Sequence, residues 1–145
     1  MSDADLIKLY SQRILALAAD VPHLGRLPAP THSATKRAPL CGSVVTVDLV
    51  LDGGGRIADY AQEVRACALG QASAAIFGAA VVGCTPDQVA RLRDELAAML
   101  KEAGPTPQPP FDGYEALRPA RDYANRHASI LLAPDATLAA LATQP

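Results

Sequence analysis

Between Val45 and Leu51 every second residue is apolar: Val45, Val47, Leu49 and Leu51 share one face, and Thr46 and Asp48 fall on the other. That period of two predicts a half-buried β-strand over 43–51. Asp52-Gly53-Gly54-Gly55 follows, and its glycines supply the positive φ angles of a hairpin turn, so 56–64 is expected to return as the partner strand. The sheet is therefore antiparallel. Upstream, a segment dense in Pro, Gly, Ser and Thr predicts a loop after Pro22 and then a short edge strand at 34–37.

The remaining pattern is helical. Leu6, Leu9, Tyr10, Ile14, Leu15 and Leu17 recur at a spacing that predicts an amphipathic helix over about 3–19, ending near Val21-Pro22. Residues 67–83 are small and apolar nearly all round, which suits a buried helix stopped by Gly83. Thr85-Pro86-Asp87-Gln88 reads as a capping box with Pro at the first helical position. The helix it launches carries Val89, Leu92, Leu96, Met99 and Leu100 as one stripe and runs to about 103. Four prolines in 104–117 predict a long ordered loop or surface excursion, a kind of segment that often carries function. A helix is expected to resume over 118–132, with Pro134 as the first residue of a terminal helix ending near 142.

These elements make an α+β protein, a three-stranded antiparallel sheet with helices packed on one face. At 145 residues it reads as a single domain, 1–145. The expected core draws on Val45, Val47, Leu49, Ile57, Ile76, Val89, Leu92 and Leu96. With no Trp and two Phe, that core is aliphatic and alanine-rich.

A net charge of −2 and an ordinary share of charged residues give no electrostatic grip on nucleic acid or an anionic membrane. The opening residues mix acids and bases through their apolar positions, unlike a signal peptide or a spanning segment, so the expected location is the cytoplasm. Three cysteines in a reducing compartment argue against a disulfide framework and leave metal ligation, thiol chemistry or burial.

Cys41 lies between a loop and a strand, and Cys67 follows the return strand and opens a helix, so the hairpin brings both thiols to one end of the sheet. A helix N-terminus and the nearby Arg65 favour the thiolate, which makes Cys67 the expected more acidic thiol. Cys84, beside the capping box, reads as an incidental thiol.

Pro39-Leu40-Cys41-Gly42-Ser43, with a strand after it, and the later run Arg65-Ala66-Cys67-Ala68 through Ala72-Ser73 resemble the two motifs of the NifU-like family of iron–sulfur cluster assembly scaffolds. Those motifs are P-L-C-G-D and G-C-A-x-x-x-A-S. The resemblance covers nearly the whole chain, and the long span from Cys67 to Arg126 looks like the SufU-type branch rather than the shorter IscU type.

Several expectations follow from the resemblance. They include a SufE/NifU-like fold, a role as scaffold or sulfur acceptor, a cysteine desulfurase and cluster acceptor or carrier proteins as partners, and zinc or an iron–sulfur cluster as cofactor. Such a protein is a carrier more than a conventional enzyme. Two family positions depart from the pattern. The motif aspartate is Ser43, and the third cysteine, in R-x-K-C-x-x-L-A laid on 126–133, is Ser129. Neutral hydroxyls ligate zinc or iron poorly beside thiolate, so the reduced ligand set is Cys41, Cys67 and His127, with either thiol a candidate sulfur acceptor. The alternative reading is a cluster-free paralogue that docks on the desulfurase or a cluster carrier without binding metal.

Overall fold

A computed structural model of the chain describes residues 11–39 and 41–143. Its elements are α1 (Gln12–Ala19), β1 (His32–Arg37), β2 (Val44–Leu51), β3 (Ile57–Arg65), α2 (Ala68–Ala80), α3 (Pro86–Lys101), a 3-10 helix (Asp112–Asp122) and α4 (Ala124–Leu141). The expected first helix began at about residue 3; the part before residue 11 lies outside the described residues. Ser11 caps α1, its Oγ accepting from the Ile14 N–H at 3.3 Å.

The three strands form one antiparallel sheet in the order β1-β2-β3. Asp52 Oδ1 closes the hairpin by accepting from the N–H groups of Gly54 and Arg56 at 2.9 and 3.0 Å. The period-2 reading holds: Val45, Val47 and Leu49 are buried under the helices with Ile57 and Tyr60. Every residue of the expected core is buried. On the opposite face Asp48 is also covered, because the loop after Pro22 crosses there and bonds to β3 through Gly25 N–H to Gln62 O and Gln62 N–H to His23 O, both 2.9 Å. Arg26 on that loop grips Asp48 with two bonds, 2.7 and 3.0 Å, and Ser33 and the Leu27 N–H add a third and a fourth.

The capping box forms as expected, Thr85 Oγ1 accepting from the Gln88 N–H and Gln88 accepting from the Thr85 N–H. Downstream, two expectations give way. The proline-rich run is not loop as far as 117, because a 3-10 helix begins at Asp112. Its reason is a repeat of three: Phe111, Tyr114, Leu117 and Ala120 are all buried, and three residues per turn put them on one stripe. Phe111 stacks on Phe77 of α2 at 5.4 Å between ring centroids.

The second correction concerns Pro134, which does not start a helix but lies inside the continuous 18-residue α4. Proline has no N–H to offer the carbonyl four residues back, here Ile130. Ser73 of α2 supplies the missing donor, its Oγ bonding the Ile130 carbonyl at 2.5 Å, and Tyr114 Oη lies 2.9 Å from the same Oγ. A hydrogen bond from a neighbouring helix thus lets α4 run through the proline. Among the described residues no helix is long and apolar enough to cross a membrane.

Candidate thiol site

β1 ends at Arg37 and β2 begins at Val44, and the segment between them is closed by its own backbone. The Ala38 N–H donates to the Ser43 carbonyl at 2.8 Å and the Gly42 N–H to the Ala38 carbonyl at 3.0 Å. Gly42 has φ +71°, a left-handed conformation that glycine takes without a steric penalty. The turn leaves Cys41 exposed and carries Ser43 inward to 4% exposure.

β3 ends at Arg65, and Cys67, half-buried, is the residue that caps α2 with extended backbone. One turn further, Gly70 faces α4. A Cβ on Gly70 would fall 2.5 Å from Ser129 Oγ, so only glycine lets the two helices approach closely enough for Ser129 to enter the site. The small apolar pattern of 67–83 predicts burial of this helix but not this contact with α4. Its signal was a glycine one helical turn after the cysteine.

The four positions singled out by motif therefore come together. Cys41 Sγ donates to Ser43 Oγ at 3.2 Å, Ser43 Oγ lies 3.0 Å from Ser129 Oγ, and Ser129 Oγ lies 3.5 Å from Cys67 Sγ. Two buried hydroxyls thus sit between two thiols. The thiol that its surroundings hold below the usual range is Cys41. The Ser43 hydroxyl is the main cause, followed by the Ser43 backbone N–H, with Ser129 adding a smaller push against the opposing effect of burial. When the proton leaves, the Ser43 hydroxyl turns from acceptor to donor and stabilises the negative sulfur.

His127 does not join this group. Its Nε2 lies 3.0 Å from the carbonyls of both Ala120 and Arg121, so the ring, 6% exposed, donates to the end of the 3-10 helix. The physical reason is helical phase: two residues along α4 turn a side chain by roughly 200°, so His127 and Ser129 point to different sides. Among the described residues no three His, Cys, Asp or Glu side chains gather in a group that could hold a metal ion. Cys84 is buried with its Sγ donating to the Ala80 carbonyl at 3.2 Å, and burial pushes its thiol pKa up, as suits an inert structural thiol.

The profile of the family described as NifU-like N terminal domain matches residues 9–129. Among solved structures, the chain is similar to a nitrogen-fixing NifU-like protein (N-terminal) from Brucella abortus, 42% identical over 94% of each chain with a TM-score of 0.91. It is also similar to a putative iron–sulfur cluster assembly scaffold protein for the SUF system from Fervidobacterium islandicum AW-1. There the identity is 20%, the TM-score 0.83, and the match covers 93% of this chain and 98% of that one, a likeness of fold. Among curated proteins none matches the chain significantly.

Proposed function

Because the chain belongs to the NifU-like N-terminal domain family, we propose that it serves iron–sulfur cluster assembly as a sulfur acceptor, with Cys41 taking sulfane sulfur from a cysteine desulfurase. The observation that carries this reading is the exposed Cys41 thiol, posed at the end of the sheet and held below its usual pKa by Ser43. The thiolate is the nucleophilic form of cysteine, and an exposed one is what a donor persulfide needs to meet.

In the transfer, the Cys41 thiolate attacks the outer sulfur of the donor's persulfide. A new S–S bond forms on Cys41, the donor's S–S bond breaks, and the donor cysteine leaves as thiolate with the bonding pair. One sulfur changes hands and no external oxidant or reductant is consumed. Ser43 stabilises the attacking thiolate, and α2 holds Cys67 on the far side of the hydroxyl pair. The sulfur is cargo for cluster building, passed on to cluster acceptor or carrier proteins.

Two thiols and two neutral hydroxyls do not fit a resident zinc ion, which prefers Cys sulfur, His nitrogen or carboxylate oxygen in a four-coordinate shell. The same two serines favour a second reading, a cluster-free paralogue that docks on the desulfurase without accepting sulfur.

Incubation with a cysteine desulfurase and L-cysteine, followed by intact-mass and peptide analysis, separates the two. A mass gain of one sulfur on Cys41, lost in Cys41→Ala, is the expected result. Co-elution with the desulfurase, with no sulfur on Cys41 in either the wild type or Cys67→Ser and no Cys41–Cys67 disulfide, overturns the acceptor role and leaves the docking paralogue.

A further inference from the structure

We infer that Cys67 is the resolving thiol of Cys41: it expels the carried sulfur as hydrosulfide and leaves a Cys41–Cys67 disulfide. The inference rests on the reading that Cys41 carries sulfane sulfur, and it adds how that sulfur leaves as sulfide without a metal.

The geometry supplies three parts of the argument. First, among the described residues the thiols are linked through the hydroxyls of Ser43 and Ser129, in steps of 3.2, 3.0 and 3.5 Å. Second, the thiols differ in access: Cys41 is exposed, whereas Cys67 is half-buried at the helix cap. Third, Cys84 is buried in a bond to Ala80 and offers no competing sulfur.

The chemistry balances without an added reductant. Cys67 sulfur attacks Cys41 Sγ, and the bond from Sγ to the outer sulfur breaks with its electron pair on the outer atom. That atom is reduced to sulfide, and the electrons come from Cys67, whose sulfur ends in the disulfide. The proton that Cys67 gives up ends on the leaving sulfur, so hydrosulfide departs. Ser129 Oγ, in contact with Cys67 Sγ, and Ser43 Oγ beyond it form a hydroxyl path along which that proton can pass. The neutral hydroxyls at positions 43 and 129 do not tie the two sulfurs into a metal shell. A dithiol reductant then resets the pair for another cycle.

The test loads the full chain with inorganic polysulfide, removes the excess, and follows sulfide release and peptide masses without a desulfurase. In the wild type, sulfide is expected in step with a Cys41–Cys67 disulfide. In Cys67→Ser, which puts a favoured capping residue at the head of α2, the Cys41 persulfide is expected to outlive the wild-type one by at least ~10-fold. Equal persulfide lifetimes in the two proteins overturn the inference, as does a disulfide that forms only between chains. Loading by polysulfide keeps the two proposals apart: resolution without acceptance from a desulfurase sinks only the acceptor role, and acceptance without resolution sinks only this one.

Discussion

Ser73 Oγ donates to the Ile130 carbonyl at 2.5 Å, taking the place of the N–H that Pro134 lacks. Ser73→Ala is expected to destabilise the protein by about 1–3 kcal/mol, because it leaves a buried carbonyl without a donor and Tyr114 Oη without one of its neighbours. Denaturant unfolding of the single and double variants checks it. Pro134→Ala in the Ser73→Ala background restores the helical donor, so the cost of Ser73→Ala should shrink when Pro134 is absent.

The Ser43 hydroxyl makes a second prediction, this one in solution chemistry. Because it favours the charged form, Cys41 should be alkylated with a pH midpoint below that of an ordinary thiol. Ser43→Ala should move that midpoint upward and slow alkylation at neutral pH. Iodoacetamide kinetics on Cys41, resolved by peptide mass, read the shift; an unchanged midpoint removes Ser43 as its cause.

If the two serines are what denies the site a metal, restoring ligands should bring metal in. Ser43→Asp with Ser129→Cys joins a carboxylate and a third thiolate to Cys41 and Cys67. Complete zinc ligand sets reach apparent binding free energies of roughly 10–16 kcal/mol in peptides, so the double variant should bind zinc at least ~100-fold more tightly than wild type. Competition against a chromophoric chelator gives the number. No gain would mean that the new ligands fail to converge.

Gly70→Ala tests the close approach of α2 and α4. The added Cβ would sit 2.5 Å from Ser129 Oγ and 2.8 Å from the Ala66 Cβ, so something has to move, and overpacking of this kind costs about 1–3 kcal/mol. Ser129 and Cys67 should separate as a result, which slows formation of a Cys41–Cys67 disulfide under a mild oxidant. Ser129→Ala added to it should recover part of the stability.

Asp48 gives the acid limb of stability. Arg26 holds its carboxyl below the usual carboxylate range, with Ser33 and the Leu27 N–H assisting against burial. A depressed folded-state pKa means that the contribution is fully present above about pH 4, the unfolded value, and is lost as pH falls through the lower folded one. Arg26→Ala should destabilise the protein at pH 7, by less than the loss of a fully buried pair would, because Arg26 is 53% exposed while Asp48 is 1% exposed. Urea unfolding at pH 7 and pH 3 should show the variant's deficit narrowing in acid.

The legible parts of this chain were those decided by neighbours in sequence. The alternation from Val45 to Leu51, the Asp52 turn and the Thr85 capping box each rest on residues a few positions apart, and each formed. Pro134 was misread because its partner, Ser73, lies far away in the chain, on another helix. The 3-10 stripe of Phe111, Tyr114, Leu117 and Ala120 was visible as a spacing of three, but the prolines before it drew the reading toward loop. At the site, hairpin topology alone put Cys41 and Cys67 at one end of the sheet. Ser129 was found only through its place in a family motif, since nothing around it in sequence marks a serine on an apolar helix as part of a site. The position of His127 needed its acceptor carbonyls, which no local pattern supplies.

The turn from Ala38 to Ser43 is fastened by main-chain bonds, so Cys41 is posed by folding itself and not by anything that later binds there. Orientation of this thiol is settled before an encounter begins. A reagent that attacks this thiol meets it already presented at the surface, so less ordering is left to the encounter. Substitutions in this turn that spare the Ser43 hydroxyl and the Ala38–Ser43 and Gly42–Ala38 main-chain bonds should therefore leave the reactivity of Cys41 untouched.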